Sequence, residues 1–107
     1  MEPYTERGGS RWGPSPMVSS NVTWPFAEIR VSPQGLEIRV SVLGFAKRTF
    51  AFDRAEVTRV ASERGVFHTG LRIEHRTSNP THIVFWTFHG ARLSFALREA
   101  GYELRTR

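Results

Sequence analysis

From residue 27 to residue 42, hydrophobic positions alternate with polar ones, and a short turn interrupts the alternation. Apolar side chains occupy every second position on either side of that turn, at Ala27, Ile29, Val31, Leu36, Ile38, Val40 and Val42. A period of two is typical of β-strands that bury one face. The segment 32–35 reads Ser-Pro-Gln-Gly, a composition that favours a tight turn. We therefore predict a β-hairpin over residues 27–42.

The charges of this hairpin predict its register. If the turn is centred between Pro33 and Gln34, apolar residues face each other on the core side and opposite charges face each other outside. The expected pairs are Ile29 with Ile38, Val31 with Leu36, Glu28 with Arg39, and Arg30 with Glu37. A slip of one residue would place apolar side chains opposite charged ones throughout.

The segment 82–88 is rich in β-branched and aromatic residues, which indicates a strand. Ile83 and Phe85 would point to one face and Val84 and Trp86 to the other, so both faces need cover. We expect Val84 and Trp86 to line the interior of the fold. Helical spacing follows in residues 90–101, where one face carries Leu93, Ala96, Leu97 and Ala100. This pattern predicts a C-terminal helix that closes the sheet.

Further strands are predicted at residues 47–52 and 71–76. Between them, we favour a turn at Asp53 and Arg54 followed by a strand over residues 56–62. A short helix is the alternative, because Asp53 and Glu56 have the spacing of a helix capping box. The sum is five or six antiparallel strands and one C-terminal helix.

Residues 1–20 are rich in Gly, Ser and Pro. Such a segment buries too little apolar surface to offset the entropy lost on ordering. We predict a disordered tail over 1–20 and a folded domain over 24–103. A further strand needed to complete a barrel would lie at 17–22 or 65–68.

Composition narrows the functional classes. The net charge is +5, and the chain has no cysteine, which excludes disulfides and thiolate ligands. No apolar run approaches the length of a membrane span. We expect a cytoplasmic protein, with association at the membrane periphery as an alternative, and no cofactor. The basic residues considered as an anion or nucleic-acid site are Lys47, Arg48, Arg72 and Arg76.

Catalytic and metal-binding signatures are missing from the sequence. Asp53 is the only aspartate, and no nucleophile elbow or glycine-rich phosphate loop occurs. A turn centred between Ser78 and Asn79 would place His75 opposite His82, yet zinc needs a further ligand and the sequence offers none nearby. We expect neither an enzyme nor a metal site.

Three stretches in order carry a family resemblance. These are residues 24–27 (Trp-Pro-Phe-Ala), residues 70–75 (Gly-Leu-Arg-Ile-Glu-His), and residues 83–86 (Ile-Val-Phe-Trp) ahead of the helix ending at Gly101 and Tyr102. In this order the chain resembles bacterial pleckstrin-homology-like (PH-like) domains. The resemblance implies a mainly β fold, a bent antiparallel barrel of six to seven strands capped by the helix. The loop at 32–35 is too short for the basic loop of phosphoinositide-binding members.

The function expected from these features is that of a non-enzymatic binding module for a protein or peptide partner. Binding to an anionic membrane surface or lipid head groups is the first alternative, and nucleic-acid binding is the second. On a helical wheel, Phe95, Arg98 and Tyr102 lie away from the buried face. We predict that they contact a protein partner or a second copy of the chain.

Overall fold

The computed structural model describes residues 2–15, 17–42, 46–64, 68–76 and 80–106. The predicted turn centred between Ser78 and Asn79, and part of the candidate strand at 65–68, lie outside these residues. The described strands are β1 (Tyr4–Gly13), β2 (Ser20–Ser32), β3 (Gly35–Val42), β4 (Ala46–Asp53), β5 (Val57–Arg64), β6 (Thr69–His75), β7 (His82–Thr87) and β8 (Leu104–Thr106). A 3-10 helix covers Arg54–Glu56, and helix α1 covers Gly90–Glu99.

All strands belong to one sheet, in the order β4-β3-β2-β1-β7-β6-β5-β8. This confirms a mainly β fold with a C-terminal helix, in which the sheet curls into a half-barrel. Two details of the prediction are wrong. The described residues form eight strands rather than six or seven, and the sheet is mixed, because β8 pairs with β5 in parallel.

The hairpin of β2 and β3 has the predicted register. Ile29 pairs with Ile38 and Val31 with Leu36, and the charged pairs between them also match. The choice of a turn followed by a strand after Asp53 is confirmed as well, since the 3-10 helix is a single turn and β5 follows directly. Glu56 accepts a hydrogen bond from the backbone N–H of Asp53 at 3.1 Å, as its capping-box spacing suggested.

The largest difference from the sequence analysis is at the N-terminus. Residues 4–13 were expected in a disordered tail, but they form β1 and lie between β2 and β7 in the sheet. Gly8 is needed there, because a Cβ at this position would lie 2.6 Å from the Phe85 ring. The buried carboxylate of Glu6 accepts hydrogen bonds from the hydroxyls of Tyr4 and Thr87. A strand stabilised in this way shows no apolar alternation, so the pattern could not reveal it.

The faces of β7 are also opposite to the expected ones. Ile83 and Phe85 are fully buried in the core, whereas Val84 and Trp86 lie half-buried on the outer face of the sheet. Because Thr87 is fully buried too, the inward positions of β7 are its odd-numbered residues.

Helix α1 closes the core as predicted. Its inward residues are all buried, namely Leu93, Ala96, Leu97 and Ala100 just beyond its end. Arg54 ties this end to the sheet, since its guanidinium donates hydrogen bonds to the carbonyls of Ala100, Gly101 and Pro33. In the part of the chain that the structure describes, no helix is long and apolar enough to span a membrane.

Candidate functional site

The pairing of β1, β7 and β6 arranges six residues in two rows on the outer face of the sheet. Val84 is paired with Arg11 of β1 on one side and with Arg72 of β6 on the other. Residues directly opposite each other in antiparallel strands share a face. The two arginines therefore flank Val84 in one row across three strands.

The neighbouring row contains Trp86 between two glycines. Trp86 is paired with Gly9 of β1 and with Gly70 of β6. The indole covers Gly9, where a Cβ would lie 2.2 Å from the ring atoms Cε2 and Cζ2. On the other side, a Cβ at Gly70 would have its nearest neighbour at 3.8 Å. Gly70 therefore has room for a side chain on the outer face of the sheet, whereas Gly9 has none.

These two rows form the base of a cavity of about 750 Å³, which we call the hollow. It is open to solvent and lies on the outer face of the sheet, and it reaches the core only at Val22. Its lining combines apolar side chains with cations, imidazoles, small polar groups and one carboxylate. The lining residues are Arg11, Asn21, Val22, Thr23, Glu63, His68, Gly70, Arg72, His82, Val84 and Trp86.

The two guanidinium groups of the hollow have no carboxylate partner among the described side chains. Other arginines of the sheet do: Arg39 pairs with Glu37 at 2.5 Å, and Arg59 pairs with Glu74 at 3.4 Å. Glu63 also lines the hollow, but it has an interaction of its own. The two guanidinium groups outnumber the single carboxylate of the lining, so the charge of the hollow favours an anionic ligand.

The pKa of His82 depends on these two positive charges. Partial burial, and then the positive charges of Arg72 and Arg11, lower the pKa of His82 below its ordinary value. All three effects disfavour the imidazolium. An anion placed between the arginines would act in the opposite direction and favour it.

One edge of the hollow continues into an aromatic ridge, formed by His68, Trp86, Phe88 and Trp24. Consecutive rings in this order are in edge contact, with centroids 5.8, 5.8 and 6.2 Å apart. Trp24 and Phe88 are 47% and 52% exposed, unusually large fractions for aromatic side chains that pack together. The ridge and the hollow share Trp86 and His68, so they form one continuous surface.

The basic residues proposed from the sequence lie at separate places. Lys47 and Arg48 are exposed on β4, an end strand of the sheet, and the Arg48 guanidinium lies 5.0 Å from the centroid of Phe50. Arg72 lines the hollow on β6, and Arg76 is exposed just after β6. Four strands separate β4 from β6 in the sheet order, so these four residues do not form one row across neighbouring strands.

Of the three residues predicted to contact a partner, two are exposed on the helix and one is buried. Phe95 is 68% exposed and Arg98 is exposed on α1. Tyr102, by contrast, is 7% exposed, and its hydroxyl donates a hydrogen bond to the carbonyl of Ser32 at 2.8 Å. Its ring also lies 4.9 Å from the Arg54 guanidinium. Gly101, at φ +92°, turns the backbone after the helix. This turn brings Tyr102 into contact with the hairpin of β2 and β3.

The expected pairing of His75 with His82 is wrong by one residue. The pairs between β6 and β7 run from Thr69 with Thr87 to Arg72 with Val84, and this register brings His75 level with Thr81. The His75 ring packs on Phe52, with centroids 4.5 Å apart. Within the described ranges, no group of three or more potential metal ligands occurs.

Sequence reasoning missed Arg11 and the aromatic ridge. Arg11 was assigned to the disordered tail, and only its neighbour Trp12 gave a weak sign that this segment could be ordered. Trp86 was assigned to the core because both faces of its strand are apolar. Neither error could be corrected without knowing which strand pairs with β7.

No protein-family model and no curated protein sequence matches the chain.

Proposed function

We propose that the chain is a non-enzymatic binding module that recognises a segment of a partner protein on the outer face of the sheet. The observation that carries this proposal is the aromatic ridge, in which Trp24 and Phe88 are about half exposed next to the hollow. Trp, Phe and Arg are enriched at the centres of protein interfaces, and large aromatic side chains provide most of the binding energy there.

The composition of the surface supports binding rather than catalysis. A ligand site typically combines an apolar surface with a few convergent polar groups. Here the ridge provides the apolar part, and Arg11 and Arg72 provide two cations. The carboxylate that lines the hollow, Glu63, is already engaged. We propose no chemical step for this site.

We also propose that the fold is a variant of the PH-like domain. A curled sheet with one C-terminal helix supports this assignment. The eighth strand, parallel to β5, is a departure from the antiparallel barrel of that family. We also propose a cytoplasmic location, with which a chain that needs no disulfide is compatible.

A matched pair of phenylalanines tests the proposed surface. Phe88 lies on the ridge and Phe95 on helix α1, and both are more than half exposed. Replacing either by Ser should leave the fold intact, so any difference in binding reports on the surface. We expect affinity capture from the native host, followed by mass spectrometry, to lose a partner with Phe88→Ser and to keep it with Phe95→Ser. The reverse result would favour the helix face formed by Phe95 and Arg98.

Binding to an anionic membrane surface is the second candidate, because exposed Trp24 and Phe88 beside two arginines are also typical of interfacial anchoring. Co-sedimentation with vesicles tests it directly. Vesicles containing anionic lipid should bind the parent protein and release it at high salt if this candidate is correct. If the ligand is a protein partner instead, the protein should sediment neither with anionic vesicles nor with neutral ones.

A further inference from the structure

We infer that the partner segment is acidic, with a carboxylate held between the guanidinium groups of Arg11 and Arg72 and a neighbouring apolar side chain packed on Trp86. This inference rests on the proposed function, since it specifies what the hollow recognises. The occupant of the hollow is then a carboxylate-bearing peptide.

The spacing of the two arginines suits a clamp. They lie on β1 and β6, with β7 between them, so their Cα atoms are separated by two strand spacings, about 10 Å. Arginine side chains are long enough to converge above Val84 from both sides. A guanidinium binds a carboxylate through two parallel hydrogen bonds, which fixes its orientation as well as its position.

The charges around the clamp also favour an anion. Arg11 and Arg72 form no salt bridge within the described part of the chain. An anion held between them would oppose the positive charges that lower the pKa of His82. Asn21 and Thr23 add neutral hydrogen-bonding groups to the lining from β2, the strand next to β1. The one carboxylate of the lining, Glu63, is on β5 and has its own interaction.

The adjacent row has room for an apolar side chain. Trp86 leans over Gly9, and a side chain at Gly70 would meet no atom closer than 3.8 Å. The His68 imidazole, in edge contact with the indole, borders this space. A peptide residue next to the clamped carboxylate can therefore pack against the indole. This predicts a short recognition element in which an acidic residue is followed by an aromatic or large aliphatic one.

The test is an NMR titration of the ¹⁵N-labelled full chain with a capped tripeptide of glutamate, phenylalanine and glutamate. The matched control peptide has glutamine in place of both glutamates. We expect the acidic peptide to shift the Trp86 indole N–H and the Arg11 and Arg72 Nε–H signals, and the control peptide to leave them unchanged. Equal shifts with both peptides, or none with the acidic one, would overturn the inference.

Variants locate the binding within the hollow. Arg11→Gln and Arg72→Gln should each weaken the acidic peptide by about tenfold, which corresponds to losing one charge-assisted hydrogen-bonded pair. Arg98→Gln, on helix α1, should leave the affinity unchanged. Gly70→Leu should block binding while the protein stays folded, because its side chain enters the hollow. Retained binding in both Gly70→Leu and Arg72→Gln would place the peptide elsewhere and refute the clamp.

Peptide binding at the arginines and partner capture through the ridge are measured separately, so each can fail without the other. If the acidic peptide fails to bind but capture of a partner still depends on Phe88, the proposed function holds and the clamp is wrong. If the peptide binds at the arginines while no partner depends on the ridge, the clamp is correct and the proposed protein interaction is wrong. Binding of inorganic phosphate at the arginines without binding of the acidic peptide would also reject the carboxylate assignment.

Discussion

The indole of Trp86 covers the backbone of Gly9 so closely that a methyl group on this glycine would lie 2.2 Å from two of the ring atoms. A distance of this kind requires glycine, because real side chains do not overlap. The contact joins β7 to β1 on the outer face, on the opposite side of the sheet from the core. It places the indole over β1, whereas a Cβ at Gly70 on β6 would have its nearest neighbour at 3.8 Å.

Gly9→Ala should therefore destabilise the protein. The added methyl group must displace the indole or the strand, and overpacking of this kind typically costs about 1 to 3 kcal/mol. Chemical denaturation followed by circular dichroism measures the free energy of unfolding. Gly70→Ala is the matched control on the other side of Trp86, where the new methyl group has its nearest neighbour at 3.8 Å. No loss is expected for Gly70→Ala, and an equal loss in both variants would contradict the assigned orientation of the indole.

Adjacent aromatic residues of β7 should differ in their contribution to stability. Phe85 is fully buried, and Phe85→Ala should cost about 3 to 5 kcal/mol, because it removes a large apolar group and leaves a cavity. Trp86 is only partly buried, so Trp86→Ala should cost about 1 to 2 kcal/mol, in proportion to the smaller area withdrawn from water. Denaturation midpoints of the two variants decide the matter. A larger loss for Trp86→Ala would mean that the indole belongs to the core.

The parts of the fold that could be predicted from the sequence are those whose pattern has one solution. In the hairpin of β2 and β3, a slip of one residue opposes apolar residues to charged ones, and the turn at 32–35 decides among the remaining registers. Ile29 and Ile38 could therefore be paired in advance. The helix was equally determined, since Leu93 and Leu97 require burial on one face. Both elements depend on contacts that are local along the chain.

The remaining features depend on long-range pairing that leaves little trace in the sequence. The inward positions of β1 include Glu6, Gly8 and Ser10, which look like part of a polar tail. They fit the interior only because Thr87 and Tyr4 hydrogen-bond the carboxylate and Phe85 fills the space above Gly8. The hollow was hidden for the same reason, since Arg11 approaches Arg72 only through the pairing of β1 with β7.

Deletion of β1 should abolish cooperative folding. A chain lacking residues 2–12 would leave β2 and β7 without their common neighbour and would expose the core that β1 covers. We expect no cooperative thermal transition and strong binding of a hydrophobic dye, as in loosely packed states. Removal of Glu2 and Pro3 alone is the control, because both are exposed and precede the strand. A cooperative transition near the parent melting temperature in the longer deletion would contradict the position of β1.

His82 should make the stability of the protein depend on pH. Partial burial and the charges of Arg72 and Arg11 lower its pKa in the folded state, whereas the unfolded chain keeps the ordinary value of about 6.5. Between these two pKa values the unfolded state binds more protons than the folded state. The free energy of unfolding therefore rises with pH through this window and levels off above about pH 6.5. Below the window, the contribution of His82 is a constant penalty.

Urea denaturation at pH 5 and pH 8 measures this contribution by comparing the parent with His82→Gln. The difference in stability between the two pH values should be smaller in His82→Gln, because glutamine does not titrate. Arg72→Gln should also reduce the difference, since it removes one of the charges that oppose protonation of the imidazole. If the parent and His82→Gln lost the same stability between pH 8 and pH 5, His82 would not titrate in the field of the two arginines, and their proximity to it would be refuted.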